Sequence, residues 1–215
     1  MSRESAELAH DLGMPLQVIY SCAELIRKEL ADDTLPAAQY AGMLMDGVDQ
    51  MKHLLFDAMN RDKGATRLQN IDLVRQLKAI GREYQPCARM LGVRLRCGGN
   101  VAALKMALDA NRLARVVMNL LSNALRFTPR GGTVSLSWRA MGDFVEVSVR
   151  DSGPGVAPEM LPRIFLRGET DGGHGYGLPI ARECARQMGG SLTCRARPGK
   201  GSTFVLRLPV RGMEG

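Results

Sequence analysis

No stretch of this sequence approaches the ~20 uninterrupted apolar residues that a membrane-spanning helix needs. The opening run MSRESAELAHDL carries acids and a histidine where a signal peptide would be apolar. Cysteine is sparse: Cys22, Cys87, Cys97, Cys184 and Cys194 are scattered, odd in number and form no CxxC pair. That excludes a disulfide frame and a thiolate zinc site, and leaves reduced, mostly buried thiols of a cytoplasmic protein as the expectation. Aromatics are only 5% of the chain, and neither a basic recognition helix nor an aromatic-studded sheet motif is present, so no nucleic-acid partner is expected. Internal repeats and low-complexity tracts are also missing.

What is present is an ordinary globular composition, 45% hydrophobic and 24% charged over 215 residues, enough chain to bury a core. The net charge of +7 is unevenly spread. Residues 1–62 hold 5 Lys/Arg against 11 Asp/Glu, whereas residues 63–215 hold 24 against 11. An acidic piece is therefore joined to a strongly basic one, which supports two domains and gives the second an affinity for an anionic ligand.

The first piece has helical periodicity. Leu8, Leu12, Leu16, Ile19, Cys22, Ile26 and Leu30 recur at threes and fours. Asp32, Asp33, Thr34 and Pro36 interrupt the pattern, and a second stripe follows through Tyr40, Leu44, Val48, Met51, Leu55 and Met59. A two-helix hairpin cannot close a core alone, so dimerisation into a four-helix bundle is expected. Residues 63–70 form a linker.

Residues 71–215 mix periods. A helix is expected over 72–91, strands at Val93–Cys97 and Leu104–Leu108, and a long helix capped by Asp109 and ending near Phe127. Alternating runs Thr133–Arg139 and Phe144–Arg150 flank a turn at Met141-Gly142-Asp143. A helix over Leu178–Met188 and strands Ser191–Arg195 and Thr203–Leu208 complete the chain. The fold class is α+β: the helical hairpin, then a sandwich of one helical layer on one mixed sheet.

His10 lies between stripe positions, so it points away from the apolar face. Asp11 beside it can take or orient an imidazole proton. Pro15, which costs about 3 kcal/mol inside a helix, cannot donate to the carbonyl of Asp11 and should bend the helix there. On the second domain, Asn119 and Asn123 are spaced i, i+4 on one helix face, with Arg126 one turn beyond. Two amide oxygens suit a hydrated Mg²⁺, and a guanidinium suits phosphate. Asp151-Ser152-Gly153-Pro154-Gly155 follows directly on a strand, where a carboxylate can accept from an exocyclic amine while glycines let the backbone approach a ring. Gly173-His174-Gly175-Tyr176-Gly177-Leu178 opens a helix whose unsatisfied N–H groups and dipole favour phosphate.

The string Leu8-Ala9-His10-Asp11-Leu12-Gly13-Met14-Pro15-Leu16 resembles the phosphoacceptor box of sensor histidine kinases. Asn119 to Pro129, Asp151 to Val156, Gly173 to Leu178 and Gly199 to Phe204 resemble, in order, the N-box, two glycine boxes and closing strand of the ATP-binding domain shared by those kinases and gyrase-type ATPases. The resemblance covers the chain from about Ala6 to Leu208. It implies a Bergerat-type ATP-binding sandwich, with ATP and Mg²⁺ as cofactors. Asn123 would be the principal Mg²⁺ ligand with Asn119 supporting it, Arg126 near the phosphates and Phe127 near the nucleotide. Asp151 would read adenine with Gly153 and Gly155 alongside, Gly173, Gly175, Gly177 and Leu178 would line the phosphates, and Thr203 would support adenine recognition.

His10 would then attack the γ-phosphorus with Asp11 assisting, and the phosphoryl group would pass to an Asp of a response regulator receiver domain. The partners implied are a second copy through the N-terminal helices and that regulator, with a membrane reached only through a sensor region not in this sequence. Asn119 stands where superfamily ATPases place a Glu base, which favours phosphoryl transfer over hydrolysis. Met14 stands where family members that also dephosphorylate their partner carry Thr or Asn, so intrinsic phosphatase activity is expected to be weak. The segment from Phe165 to Gly173 is a short lid. A reading from another class is a histidine phosphotransfer or scaffold protein that keeps the fold without using ATP, and it requires eroded nucleotide boxes.

Overall fold

The computed structural model describes residues 68–166 and 177–210, together with Ile19, Ala23, Glu24 and Ile26. Those four residues are helical. The hairpin and bundle expected around them, with His10 and Asp11, lie outside the described residues, as do Gly173 and Gly175.

From residue 68 onward the described chain belongs to one unit. Strand β1 (Gln69–Asp72) leads into helix α1 (Leu73–Met90), followed by β2 (Arg94–Gly99), β3 (Lys105–Leu108) and helix α2 (Ala110–Phe127). The hairpin β4 (Thr133–Met141) and β5 (Phe144–Asp151) comes next, then α3 (Gly177–Gln187), β6 (Ser191–Ala196) and β7 (Ser202–Pro209). Five strands form one sheet in the order β2-β4-β5-β7-β6, with β2 and β4 parallel and every other neighbour antiparallel. Strands β1 and β3 pair antiparallel as a separate ribbon.

Alternation decides which face of the large sheet is covered. Val134, Leu136 and Trp138 on β4, Val145, Val147 and Val149 on β5, and Phe204, Leu206 and Leu208 on β7 are all buried. Their intervening neighbours Ser137, Arg150 and Arg207 are exposed. The three helices supply the opposing layer with Leu77 and Ile80, with Val116, Val117, Leu120 and Leu121, and with Ala181 and Ala185, all buried. This is the expected one-layer-on-one-sheet α+β sandwich.

Carboxylates set two of the helix starts. Asp72 accepts from the Val74 and Arg75 amides at 3.0 and 3.2 Å, and Asp109 from those of Asn111 and Arg112 at 3.1 and 3.0 Å. Helix α2 stops at Thr128, whose hydroxyl donates to the Ala124 carbonyl at 2.6 Å, just before Pro129. Asp109 also pairs with Arg112 at 3.0 Å. Asp109→Ala is therefore expected to destabilise the domain by about 1–2 kcal/mol, read as a lower urea midpoint at unchanged slope.

Most element ends fall within a residue or two of the expectation, and two of the differences have a clear structural setting. The linker gives way to strand at Gln69 and Asn70, because β1 pairs with β3 across a long separation. Strand β2 continues past Cys97 through Gly98 and Gly99, since Gly99 lies against the Trp138 indole where a side chain would not fit.

Candidate nucleotide site

Asp151 is the last residue of β5 and falls on the helix-covered face, only 6% exposed. Its Oδ1 accepts from the Gly153 amide at 2.8 Å and the Ser202 amide at 3.1 Å. Burial pushes its carboxyl above the ordinary aspartate range, and those amides together with the Ser202 side chain hold it back only in part. A buried carboxylate with no cationic partner among the described residues is costly, and so marks a place where an acceptor is needed for something else. Cys194 on β6 lies near enough to feel it: burial first, then the Asp151 charge, pushes that thiol up to about 12. The thiol stays neutral at physiological pH.

Glycines shape the approach to this carboxylate. A Cβ on Gly153 would stand 2.7 Å from the Phe127 carbonyl oxygen, so only glycine lets the turn lie against the end of α2. Gly155 (φ 76°) and Gly201 (φ 78°) adopt left-handed backbone and pack against the Arg197 and Asp151 carbonyls respectively. Ser152 fastens the turn, its hydroxyl accepting from the Thr133 amide at 2.9 Å.

Helix α2 runs from the Asp151 turn toward the start of α3. Phe127 is 46% exposed at its C-terminal end, with the Arg126 guanidinium 5.3 Å from the ring centroid. Asn119 and Asn123 are half-buried two turns and one turn back. The Asn119 amide oxygen lies 3.3 Å from where a Cβ of Gly177 would be, placing that amide beside the first turn of α3. The eight-residue step from Asn119 to Phe127 corresponds to about 12 Å of helix axis. One helix thus joins the turn beside a buried carboxylate at one end to the N-terminus of α3 at the other. Ser122, inside the same string, is otherwise engaged: its hydroxyl lies 3.1 Å from Tyr84 Oη on α1.

Thr203 needs correction. In β7 it pairs with Arg150, one residue before Asp151, and strand alternation turns it to the opposite face of the sheet. The residue beside Asp151 is Ser202, which is buried. Leu178 is half-buried in the first turn of α3. Phe165 packs edge-on against Phe204 with centroids 6.4 Å apart, and the Arg182 guanidinium of α3 lies 5.1 Å from its ring centroid; most of the expected lid lies outside the described residues. Sequence reasoning passed over Ser202 and Cys194. The motif Gly201-Ser202-Thr203 offers two hydroxyls in succession, and only strand register separates them.

Residues 108–212 match the model of the histidine kinase-, DNA gyrase B- and HSP90-like ATPase family. The domain that carries Asp151 and these glycines belongs to that family. The chain is 30% identical to the histidine protein kinase DivJ of Caulobacter vibrioides, over 97% of this chain and 37% of that protein. It is 31% identical to the alginate biosynthesis sensor protein KinB of Pseudomonas aeruginosa, over 94% of this chain and 36% of that one. Among solved structures, full-length ShkA in complex with AMPPNP aligns over 100% of this chain and 47% of its own, at TM-score 0.67 and 27% identity. Histidine kinase ThkA in complex with the response regulator protein TrrA aligns over 100% of this chain and 63% of its own, at TM-score 0.67; at 21% identity it attests the fold. Along nearly its full length the chain is similar to the catalytic portion of sensor histidine kinases, and it spans a little over a third of the length of DivJ and KinB.

Proposed function

We propose that this chain is an ATP-dependent protein histidine kinase, with residues 1–62 as the phosphoacceptor hairpin and residues 71–215 as the catalytic domain. The observation that carries the reading is the buried Asp151 carboxylate, joined by α2 to the N-terminus of α3. With Oδ1 held by two backbone amides, Oδ2 is the oxygen offered to the adenine amino group, and Gly153 and Gly155 let the ring come close. The triphosphate then lies along α2 toward Gly177, and the ~12 Å between the two ends suits its extent. AMPPNP in the ShkA complex supports a nucleotide as the ligand.

Asn123 and Asn119 would hold Mg²⁺, with phosphate and water completing its shell. No group of three His, Cys, Asp or Glu side chains able to bind a metal forms among the described residues, so an amide-and-phosphate site is the one the donors fit. The ion would neutralise phosphate charge. Arg126 is placed to contribute positive charge on the same helix face.

In the reaction, an imidazole nitrogen of His10 forms a bond to the γ-phosphorus as the bond to the β,γ-bridging oxygen breaks, and ADP leaves. Asp11 orients the ring and accepts its proton. The phosphoryl group passes next to an Asp of a response regulator receiver domain, the partner that the resemblance to sensor histidine kinases implies. Positioning and electrostatics account for most of the rate. Dimerisation through the first helix is supported by Ile19 and Ile26, both on the apolar stripe and 48% and 52% exposed in the single chain. No helix among the described residues is long and apolar enough to cross a membrane.

Incubation with γ-labelled ATP and Mg²⁺ tests the proposal. Acid-labile, base-stable label on the wild type and none on His10→Gln is the expected result. Label persisting on His10→Gln would move the phosphoacceptor elsewhere. A wild type that binds no nucleotide would favour the scaffold reading.

A further inference from the structure

Strand β2 is an edge of the five-stranded sheet. The amides of Arg94 and Asn100 donate to the Gly132 and Trp138 carbonyls on the β4 side. In a parallel pair, residues of that parity turn both N–H and C=O toward the neighbour, so Leu95, Cys97 and Gly99 turn theirs outward. Leu95 shows this directly: its carbonyl accepts from the Gln85 side chain at 3.0 Å, not from another strand.

Beside that open edge lies a groove of about 510 Å³, lined by Arg75, Lys78, Arg82 and Gln85 of α1 and by Cys97. The acid in its wall, Asp72, sits at one end, where it accepts from the Val74, Arg75 and Leu104 amides and faces Arg75. Glu83 points to another side of the helix at 100° per residue. Lys78 and Arg82 are exposed and form no ion pair among the described residues. They stand four residues apart, about 6 Å along the helix, close to the ~6.6 Å between same-face side chains of a strand.

We propose that β2 is a docking edge for an acidic, extended segment of a protein partner. The segment adds as a sixth strand, bonding to the main chain of Leu95, Cys97 and Gly99, and directs alternate carboxylates at Lys78 and Arg82. Gly98 and Gly99 leave the far end of the edge without side chains to obstruct it. Gln85 releases the Leu95 carbonyl when the strand arrives. The charge pattern selects an acidic sequence, and the open hydrogen-bonding edge selects a peptide over other polyanions.

A fluorescent peptide of alternating Glu and Thr, titrated into the full chain, tests this. Saturable binding is expected, weakened about tenfold or more by the double variant Lys78→Glu, Arg82→Glu, which should bind an ATP analogue like the wild type. Amide exchange should slow at Leu95, Cys97 and Gly99, and a peptide with Pro at alternate positions should lose binding. No saturable binding, equal binding of the Pro-containing peptide, or slowed exchange only elsewhere would each overturn the proposal. So would double-stranded DNA that displaces the peptide through the same two side chains, since it would assign the groove to a phosphate backbone.

Discussion

Asp151→Asn is expected to lower nucleotide affinity by about 100-fold, roughly 2.7 kcal/mol, without lowering the stability of the nucleotide-free domain. Asn retains the oxygen that accepts from the Gly153 and Ser202 amides, so the turn keeps its anchor. The second oxygen becomes an NH₂ group, and a donor then faces the adenine amine. The stability half follows from the pKa. Burial raises the Asp151 carboxyl in the folded state. The folded protein therefore binds more protons than the unfolded chain between the ordinary value of 3.8 and the raised one. Across that window this carboxyl's contribution to stability falls as pH rises, and at neutral pH the buried charge is a cost. Asn removes the cost, so the melting temperature of the apo domain holds or rises while its increase on adding nucleotide disappears. Wild-type affinity should also decline on acidification at a pH above that of an ordinary aspartate, as the carboxylate gains a proton. Titration calorimetry and thermal melts across pH measure both halves. A variant that binds like the wild type would remove Asp151 from base recognition.

How far these features could be read in advance depends on the range of the interaction that sets each one. Local chemistry was legible. Asp109 before an apolar 3.6-residue pattern marks the start of α2, and Gly142 (φ 58°) between two alternating runs marks the β4–β5 hairpin. The strings around Asn119, Asp151 and Gly177 are contiguous, so they too stand out in the sequence, and the fold brings them to one helix and its two ends. Pairing at a distance was not legible. Strand β1 is short, with Ile71 its one large apolar residue, and its existence depends on β3 more than thirty residues on. Thr203 and Ser202 differ by one position, and a shift of one in a strand reverses the face. Cys194 is near Asp151 because β6 and β5 both flank β7, a fact of strand order alone.

Asn123→Ala separates binding from chemistry. Asn123 sits midway between Asn119 and Phe127 on α2, half-buried and on the face shared with Asn119 and Arg126. Its amide is not among the groups that meet at Asp151, Gly153 and Ser202, the proposed base site. Binding of nucleotide in EDTA should therefore change by less than about threefold, while the gain in affinity on adding Mg²⁺ is lost. Autophosphorylation should fall by about 100-fold or more. Charge on the transferring phosphoryl group must be offset in the transition state, and a misplaced ion does that poorly even when nucleotide is bound. Asn119→Ala should show a smaller loss, because Asn119 lies beside Gly177 at the start of α3 and, in the proposed arrangement, would serve the phosphates more than the ion. The reverse ranking, or loss of binding in EDTA with Asn123→Ala, would transfer the principal ligand role to Asn119 and make Asn123 part of the nucleotide pocket itself.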